Sequence, residues 1–262
     1  MGVLSYRKCY VIETFNTLKK ERSENMQRLM SYMRKAIDEF NMIEDGDKIA
    51  VALSGGKDST SMLMGLKNLQ RFYPKKFEII GLTVNPGFDF FDTSNLKKIC
   101  KDLGVEFVEV ESHAKEIVFD IRQEKNPCSL CANLRRGILN SVAKEHGCNK
   151  IALGHNEDDV LETFFLNLLY AGNINTFAPV GYMDRSGMTL IRPLIYTPEK
   201  YIRGFVKRNN IQLMPKCCSM DGFSKREDMK NLINGFQKEI PSIHANLLGA
   251  IKRSNIKGWE TK

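Results

Sequence analysis

No stretch of the 262-residue sequence approaches the roughly 20 consecutive apolar residues that a membrane-spanning helix needs, so no membrane role is expected. The first residues also lack a continuous apolar segment. Arg7, Lys8, Glu13 and Asn16 interrupt it, which speaks against a secretory signal peptide. Tyr6 stands where an N-myristoylation motif requires Ser or Thr. The expected compartment is therefore the cytoplasm, where the seven cysteines are thiols, ligands or catalysts and not disulfides. Neither G-x-x-x-x-G-K-[ST] nor G-x-G-x-x-G occurs, which excludes a Walker P-loop and a Rossmann fingerprint. Internal repeats and low-complexity linkers are missing too.

What the chain has in excess is positive charge. Its formal net charge is +8, which favours a polyanionic partner, nucleic acid before anionic membrane. Hydrophobic residues at 42% suffice for a proper core. Met26, Leu29, Met33, Ile37 and Phe40 form one helical stripe over residues 24–40. DGDKIAVALS, FEIIGLTVN, VEFVEVE and NKIALGH read as strands. The segments between and after them read as helices, with a glycine stop at Gly147 and an N-cap at Asn156. Strands alternating with helices predict an α/β fold, a doubly wound and mostly parallel sheet. Three parts are expected: an N-terminal helical segment (1–46), a core (47–215) and a C-terminal helical tail (216–262).

Residues 51–60 read VALSGGKDST. Ser54-Gly55-Gly56 falls at the carboxyl end of the first strand, where open parallel sheets bind ligands. Glycines allow the sharp turn and the close approach of a phosphate. The next helix aims free N–H groups and its positive dipole end at the same point. Lys57 adds charge and Ser59 a hydroxyl. Asp58 would repel bare phosphate and is tolerable if it holds Mg2+. The plain alternative is a Gly-Gly turn with Asp58 capping the helix.

Cys128 and Cys131 in PCSLCANLRRG stand three apart at a helix start, so both thiols share one face. Such a pair serves zinc, redox or iron–sulfur chemistry, and a second C-x-x-C is missing. Further thiols are the adjacent Cys217-Cys218, Cys9, Cys100 and Cys148. Cys100 and Cys148 read as small buried residues.

The string S-G-G-K-D-S resembles the PP-loop of the ATP pyrophosphatase family. Together with C-x-x-C-x-x-x-R-R-G, G-H-N-x-D-D, IRPLIY and a downstream cysteine, it resembles the tRNA 2-thiolation branch of that family, most closely the 2-thiocytidine type. The resemblance runs through most of the chain. It implies an enzyme that uses ATP to adenylate the C2 carbonyl oxygen of a tRNA cytidine, in the anticodon loop at position 32, and replaces that oxygen with sulfur. It implies ATP, Mg2+ and a 4Fe-4S cluster as cofactors. The cluster ligands would be Cys128, Cys131 and Cys218, with Cys217 the competing choice, and the open iron would carry sulfur. It implies tRNA, a sulfur donor (a cysteine desulfurase or sulfide) and a homodimer partner.

The ATP site carried over comprises Leu53, Ser54, Gly55, Gly56, Lys57, Asp58, Ser59, Val84, Gly154 and Asp159, with Asp58, Arg135 and Asp159 assisting catalysis. Val84 is equally readable as core, and His155 has no assigned role. Arg136 is either a phosphate contact or solvated. The tail cations Lys225, Arg226, Lys230, Lys252, Arg253 and Lys257 form either a solvated surface or an RNA-phosphate surface, with Trp259 and Phe223 as stacking or packing residues. Competing readings are a thiolase for tRNA uridine or a small molecule, and a non-catalytic protein binding nucleotide with an iron–sulfur or zinc centre.

Overall fold

A computed structural model describes residues 23–88, 90–121, 127–215 and 225–260, with residues 119, 120 and 127–129 described by their backbone alone. Six strands form one sheet: β1 Asp47–Ala52, β2 Phe77–Asn85, β3 Glu106–Glu111, β4 Lys150–Ala152, β5 Val180–Met183 and β6 Met188–Ile191. Their order is β3-β2-β1-β4-β6-β5. Every neighbouring pair is parallel except β5 with β6. The expected mostly parallel α/β sheet is what forms.

The helices are α1 over residues 23–39, α2 Lys57–Leu69, α3 Ser94–Leu103, α4 Pro127–Glu145, α5 Glu157–Tyr170, α6 Glu199–Arg208, α7 Lys225–Glu239 and α8 Ile243–Arg253. A π-helical turn spans Glu116–Ile121. Strand β1 is buried on both faces, as a central parallel strand requires. Ile49 and Val51 pack with α1, α2, α3 and α6 in the larger core. Ala50 faces the other way, with Ile80, Leu82, Ile151 and Ala143 of α4 in the smaller one. The α1 stripe Leu29, Met33 and Ile37 is fully buried in the larger core, each side chain contributing about 1.5–3 kcal/mol.

Two strands escaped the sequence reading. β5 and β6 have only four residues each and close a hairpin at Gly187, whose φ is +69°. Strand β4 is shorter than NKIALGH suggested. The Leu153 amide still donates to Ile191 O at 2.9 Å, and the chain then turns away.

The tail resolves the alternatives for Trp259 in favour of packing and engages several of its cations. Trp259 does not face solvent to stack on a base. It is fully buried, edge-on to Phe40 at 5.7 Å, with Nε1 donating to Phe177 O at 3.1 Å. Several tail cations are engaged internally: Lys252 pairs with Glu39 at 2.5 Å, Lys230 with Glu199 at 2.9 Å and Arg226 with Asp159 at 3.4 Å. Phe223 lies outside the described residues.

β1 and β4 are neighbours whose outgoing connections lead toward opposite edges of the sheet, to β2 and to the β5–β6 hairpin. This is the switch point at which open α/β sheets form a crevice beyond their carboxyl ends. The SGGKDS and GHNEDD turns therefore lie side by side.

Candidate active site

Ser54, Gly55 and Gly56 carry the chain from β1 into α2. Gly55 has φ +78°, and a Cβ there would lie 2.4 Å from the Cβ of Met214. The N-cap of α2 is Gly56, not Asp58, and no side chain caps the first turn. Its N–H groups are left as unspent donors beyond the carboxyl end of β1, a ready anion site. Ser59 stabilises the loop from within. Its hydroxyl accepts from the Ser54 amide at 3.2 Å, donates to Gly56 O at 3.2 Å and lies 3.1 Å from the Ser54 hydroxyl.

The second turn is built around Asn156. Its side chain accepts from the Asp159 amide at 3.1 Å while Asp159 Oδ2 accepts from the Asn156 amide at 2.9 Å, a complete capping box for α5. Asn156 Nδ2 also donates to Asp58 Oδ1 at 3.0 Å and so ties the two turns together. Gly154 is required by proximity. A Cβ there would sit 3.0 Å from Ser59 N and 3.3 Å from Asp58 C, which are backbone atoms of the first turn of α2.

Asp58 Oδ2 accepts from Lys57 Nζ at 2.7 Å, and Lys57 Nζ lies 3.0 Å from Glu199 Oε1. Burial alone would lower the Lys57 pKa, but the Asp58 and Glu199 carboxylates more than offset it and hold it above the usual lysine value. Glu199 is buried and also meets Lys230 at 2.9 Å and Arg203 at 2.8 Å. Burial would raise its pKa, yet Lys230 and Lys57 hold it below the usual carboxylate range. One carboxylate thus balances three cations. Glu199→Gln is expected to cost about 1–3 kcal/mol of stability, because it takes a carboxylate from two half-buried ammonium groups and leaves Lys57 with Asp58 alone. Urea unfolding checks this, and an unchanged midpoint would mean the cations are satisfied by solvent.

Burial pushes the Asp159 carboxyl up, against the Asn156 amide and Arg226, which pull it down. One turn on, burial and then Asp159 push the Glu162 carboxyl up to about 7. A raised acid favours the native state while protonated. That contribution is whole below the ordinary value of 4.5 and is lost as pH rises to about 7. Glu162→Gln is therefore expected to equal the parent protein near pH 4 and to exceed it by about 1–3 kcal/mol at pH 8. Urea titrations at both pH values decide this, and a pH-independent difference would remove Glu162 from the argument.

A cavity of about 570 Å³ opens between these turns and α4, a size suited to a nucleotide. Leu53, Val84 and Leu153 form its apolar floor, and Ser54, Asp58 and Ser59 its polar edge. Ala132, Arg135 and Leu139 of α4 cover it. Nε of Arg135 is buried without a hydrogen-bond partner among the described residues, an unspent donor against the cavity. Arg136 also lines the cavity, is exposed, and donates to Asn133 Oδ1.

Arg192 follows β6 directly and enters the same wall. It stacks on Phe177 at 4.9 Å, and donates to His155 Nδ1 at 3.1 Å and to Ala178 O at 2.6 Å. Burial and then Arg136 lower its pKa to about 10, so it stays a fixed cation at neutral pH. Burial and then Arg192 lower the His155 pKa to about 3. The neutral imidazole therefore accepts at Nδ1 and orients Arg192. Arg192, Glu199 and Asn156 were not foreseen as site residues; the IRPLIY string carried the first without marking it.

Cys131 lies half-buried on α4, one turn before Arg135. The side chain of Cys128 and all of Cys217 and Cys218 lie outside the described residues, as does Cys9. Among the described residues no three His, Cys, Asp or Glu side chains form a metal site. Both flanks of residues 216–224 are nevertheless pinned to the site. The Met214 amide donates to Gly55 O at 3.1 Å, and Arg226 meets Asp159. Cys100 and Cys148 are buried, and burial pushes the Cys100 thiol up to about 11, as expected of inert thiols.

A family model described as a PP-loop domain (ATP_bind_3) matches residues 25–218. The tRNA-cytidine(32) 2-sulfurtransferase of Geobacter metallireducens is 36% identical over 228 residues, covering 86% of this chain and 89% of that protein. The protein of the same name from Syntrophotalea carbinolica is 39% identical over 220 residues, covering 83% and 85%. Among solved structures, the U34-tRNA thiolase NcsA from Methanococcus maripaludis with its 4Fe-4S cluster shares the fold, with a TM-score of 0.69 over 85% of this chain and 77% of that one at 24% identity. The loop geometry and these relatives agree: the chain belongs to the PP-loop family, alongside proteins named tRNA-cytidine(32) 2-sulfurtransferases.

Proposed function

We propose that this protein is an ATP-dependent tRNA sulfurtransferase that thiolates C2 of cytidine 32 in the anticodon loop. The observation that carries the reading is the single cavity joining the SGGKDS turn to the helix of the C-x-x-C pair. The names of the relatives supply the substrate class.

In this reading ATP is the co-substrate. The uncapped first turn of α2, with Ser54, Gly55, Gly56 and Ser59, receives its phosphates. Leu53, Val84 and Gly154 shape the pocket around the nucleoside. Asp58 would hold Mg2+, which would neutralise phosphate charge, and Lys57 beside it adds a second cation for the phosphates. Arg135 and Arg192 are pre-oriented cations for charge that grows on the α-phosphate. The base's C2 oxygen attacks that phosphorus, pyrophosphate leaves, and sulfur then displaces AMP. Asp159 moves a proton at the turn in the same reading.

Three soft thiols, Cys128, Cys131 and Cys218, form a donor set suited to a 4Fe-4S cluster. The described part fits, since Cys131 stands on the helix that covers the cavity. A bound cluster would supply the sulfur. The donor upstream of it is a cysteine desulfurase or free sulfide. Cytoplasmic location and a homodimer belong to the same proposal. No helix among the described residues is long and apolar enough to cross a membrane. Exposed Leu169, Tyr170 and Phe236 along α5 and α7 offer an apolar strip for a second copy.

The test is anaerobic incubation of reconstituted enzyme with an unmodified tRNA transcript, ATP, Mg2+ and sulfide, followed by nucleoside mass spectrometry and pyrophosphate assay. Two-thiocytidine with stoichiometric pyrophosphate is expected. Thiouridine would favour the uridine reading. Absence of any thiolated nucleoside from cluster-loaded enzyme would overturn the proposal.

A further inference from the structure

A second cleft, of about 620 Å³, lies between the start of α1 and the start of α6. Tyr201 forms its centre. The hydroxyl donates to Asn25 O at 2.5 Å, and the ring packs against Tyr32 at 5.6 Å. Two guanidinium groups sit over that one ring, Arg28 at 5.3 Å and Arg208 at 5.8 Å. Arg208 is further fixed by Nε donating to Asn25 Oδ1 at 3.0 Å. Lys200 lines the same cleft, and Glu24 is the one carboxylate among the described residues that does so.

Several other cations of the chain are already paired. Lys57, Arg226, Lys230 and Lys252 each have a carboxylate partner. Among the described residues Arg28, Lys200 and Arg208 have none within ion-pair distance. Like charges gathered around one aromatic ring repel, and an incoming anion relieves that repulsion. The forks are held before the ligand arrives, so little side-chain entropy is lost on binding. Guanidinium planes match phosphate oxygens bidentately, and Tyr32 and Tyr201 offer flat surfaces between the charges. The location also fits, because Lys200 follows Glu199 in the first turn of α6, and Glu199 lies 3.0 Å from Lys57 at the PP-loop.

We propose that this cleft grips the phosphodiester backbone of the substrate RNA and leads the strand along α6 to the active site. The proposal rests on the sulfurtransferase reading above. Its test uses the full chain and an unmodified tRNA transcript, with dissociation constants measured by fluorescence anisotropy over a salt series. For the double variant Arg28→Glu, Arg208→Glu, a Kd at least about tenfold higher is expected, and a log–log salt slope shallower by about two. Lys200→Glu, an exposed position, is expected to shift both in the same direction and serves if the double variant loses its fold. ATP affinity should not change in either. Folded variants with tRNA Kd within about twofold of the parent and an unchanged slope would overturn the cleft assignment. Weaker binding to phosphatidylglycerol vesicles with tRNA binding unaltered would do the same. A parent protein that binds no tRNA at all sinks the sulfurtransferase reading and this proposal with it.

Discussion

Asp58→Asn is expected to lower the rate of pyrophosphate release by about 10²–10³-fold, the cost of losing one charge aimed at the reacting phosphates. The substitution keeps the shape of the side chain. Its amide oxygen can still accept from Asn156 Nδ2, which lies 3.0 Å from Oδ1, so the two turns stay joined. What disappears is the negative charge opposite Lys57, 2.7 Å away, and with it the only aspartate of the SGGKDS turn able to hold Mg2+. Lys57 would then rest on Glu199 alone. Single-turnover assays against Mg2+ concentration separate the possibilities. A rate loss with a strongly raised Mg2+ requirement fits a metal ligand. A normal rate and normal Mg2+ dependence would reduce Asp58 to a tie between loops.

Cys131→Ala is expected to remove thiolated product by about 10³-fold or more, since losing a group that takes part in chemistry costs far more than losing one that positions it. Pyrophosphate release should persist within a few-fold, because Cys131 does not belong to the PP-loop. Iron bound after anaerobic reconstitution should fall in parallel. Cys148→Ala is the matched control. That thiol is buried and its pKa is raised, chiefly by burial, so it is a poor ligand and nucleophile. Product formed at the parental rate by Cys131→Ala would remove this helix from sulfur transfer and leave an adenylating enzyme with a structural C-x-x-C.

The sheet was largely legible because its signals are local. FEIIGLTVN coincides with β2 residue for residue, since a long apolar run bounded by polar residues has one reading. Asn156 was legible as a cap because N-x-x-D carries its own hydrogen bonds. The plain alternative of Asp58 as a cap could be set aside only in the structure, because spacing does not reveal that Gly56 already fills that place. The hairpin β5–β6 was missed because four-residue strands carry too little pattern. Other site residues were hidden for a physical reason: their meaning lies in partners far along the chain. Glu199 looks like any acidic residue in a helix's first turn until Lys57 and Lys230 are found around it. Arg226 looks like one more tail cation until Asp159 is found beside it. Trp259 is the clearest case, because no local feature distinguishes a buried tryptophan from one awaiting a base.

The bond from the Met214 amide to Gly55 O gives the protein an internal reporter. A hydrogen-bonded amide proton trades with deuterium only when its bond opens. Met214 is distant in sequence from the turn it touches, so its exchange rate registers the opening of that turn and not the fraying of its own segment. Measured with and without nucleotide in the unaltered chain, that one proton reads how firmly the loop is held before the first phosphate arrives.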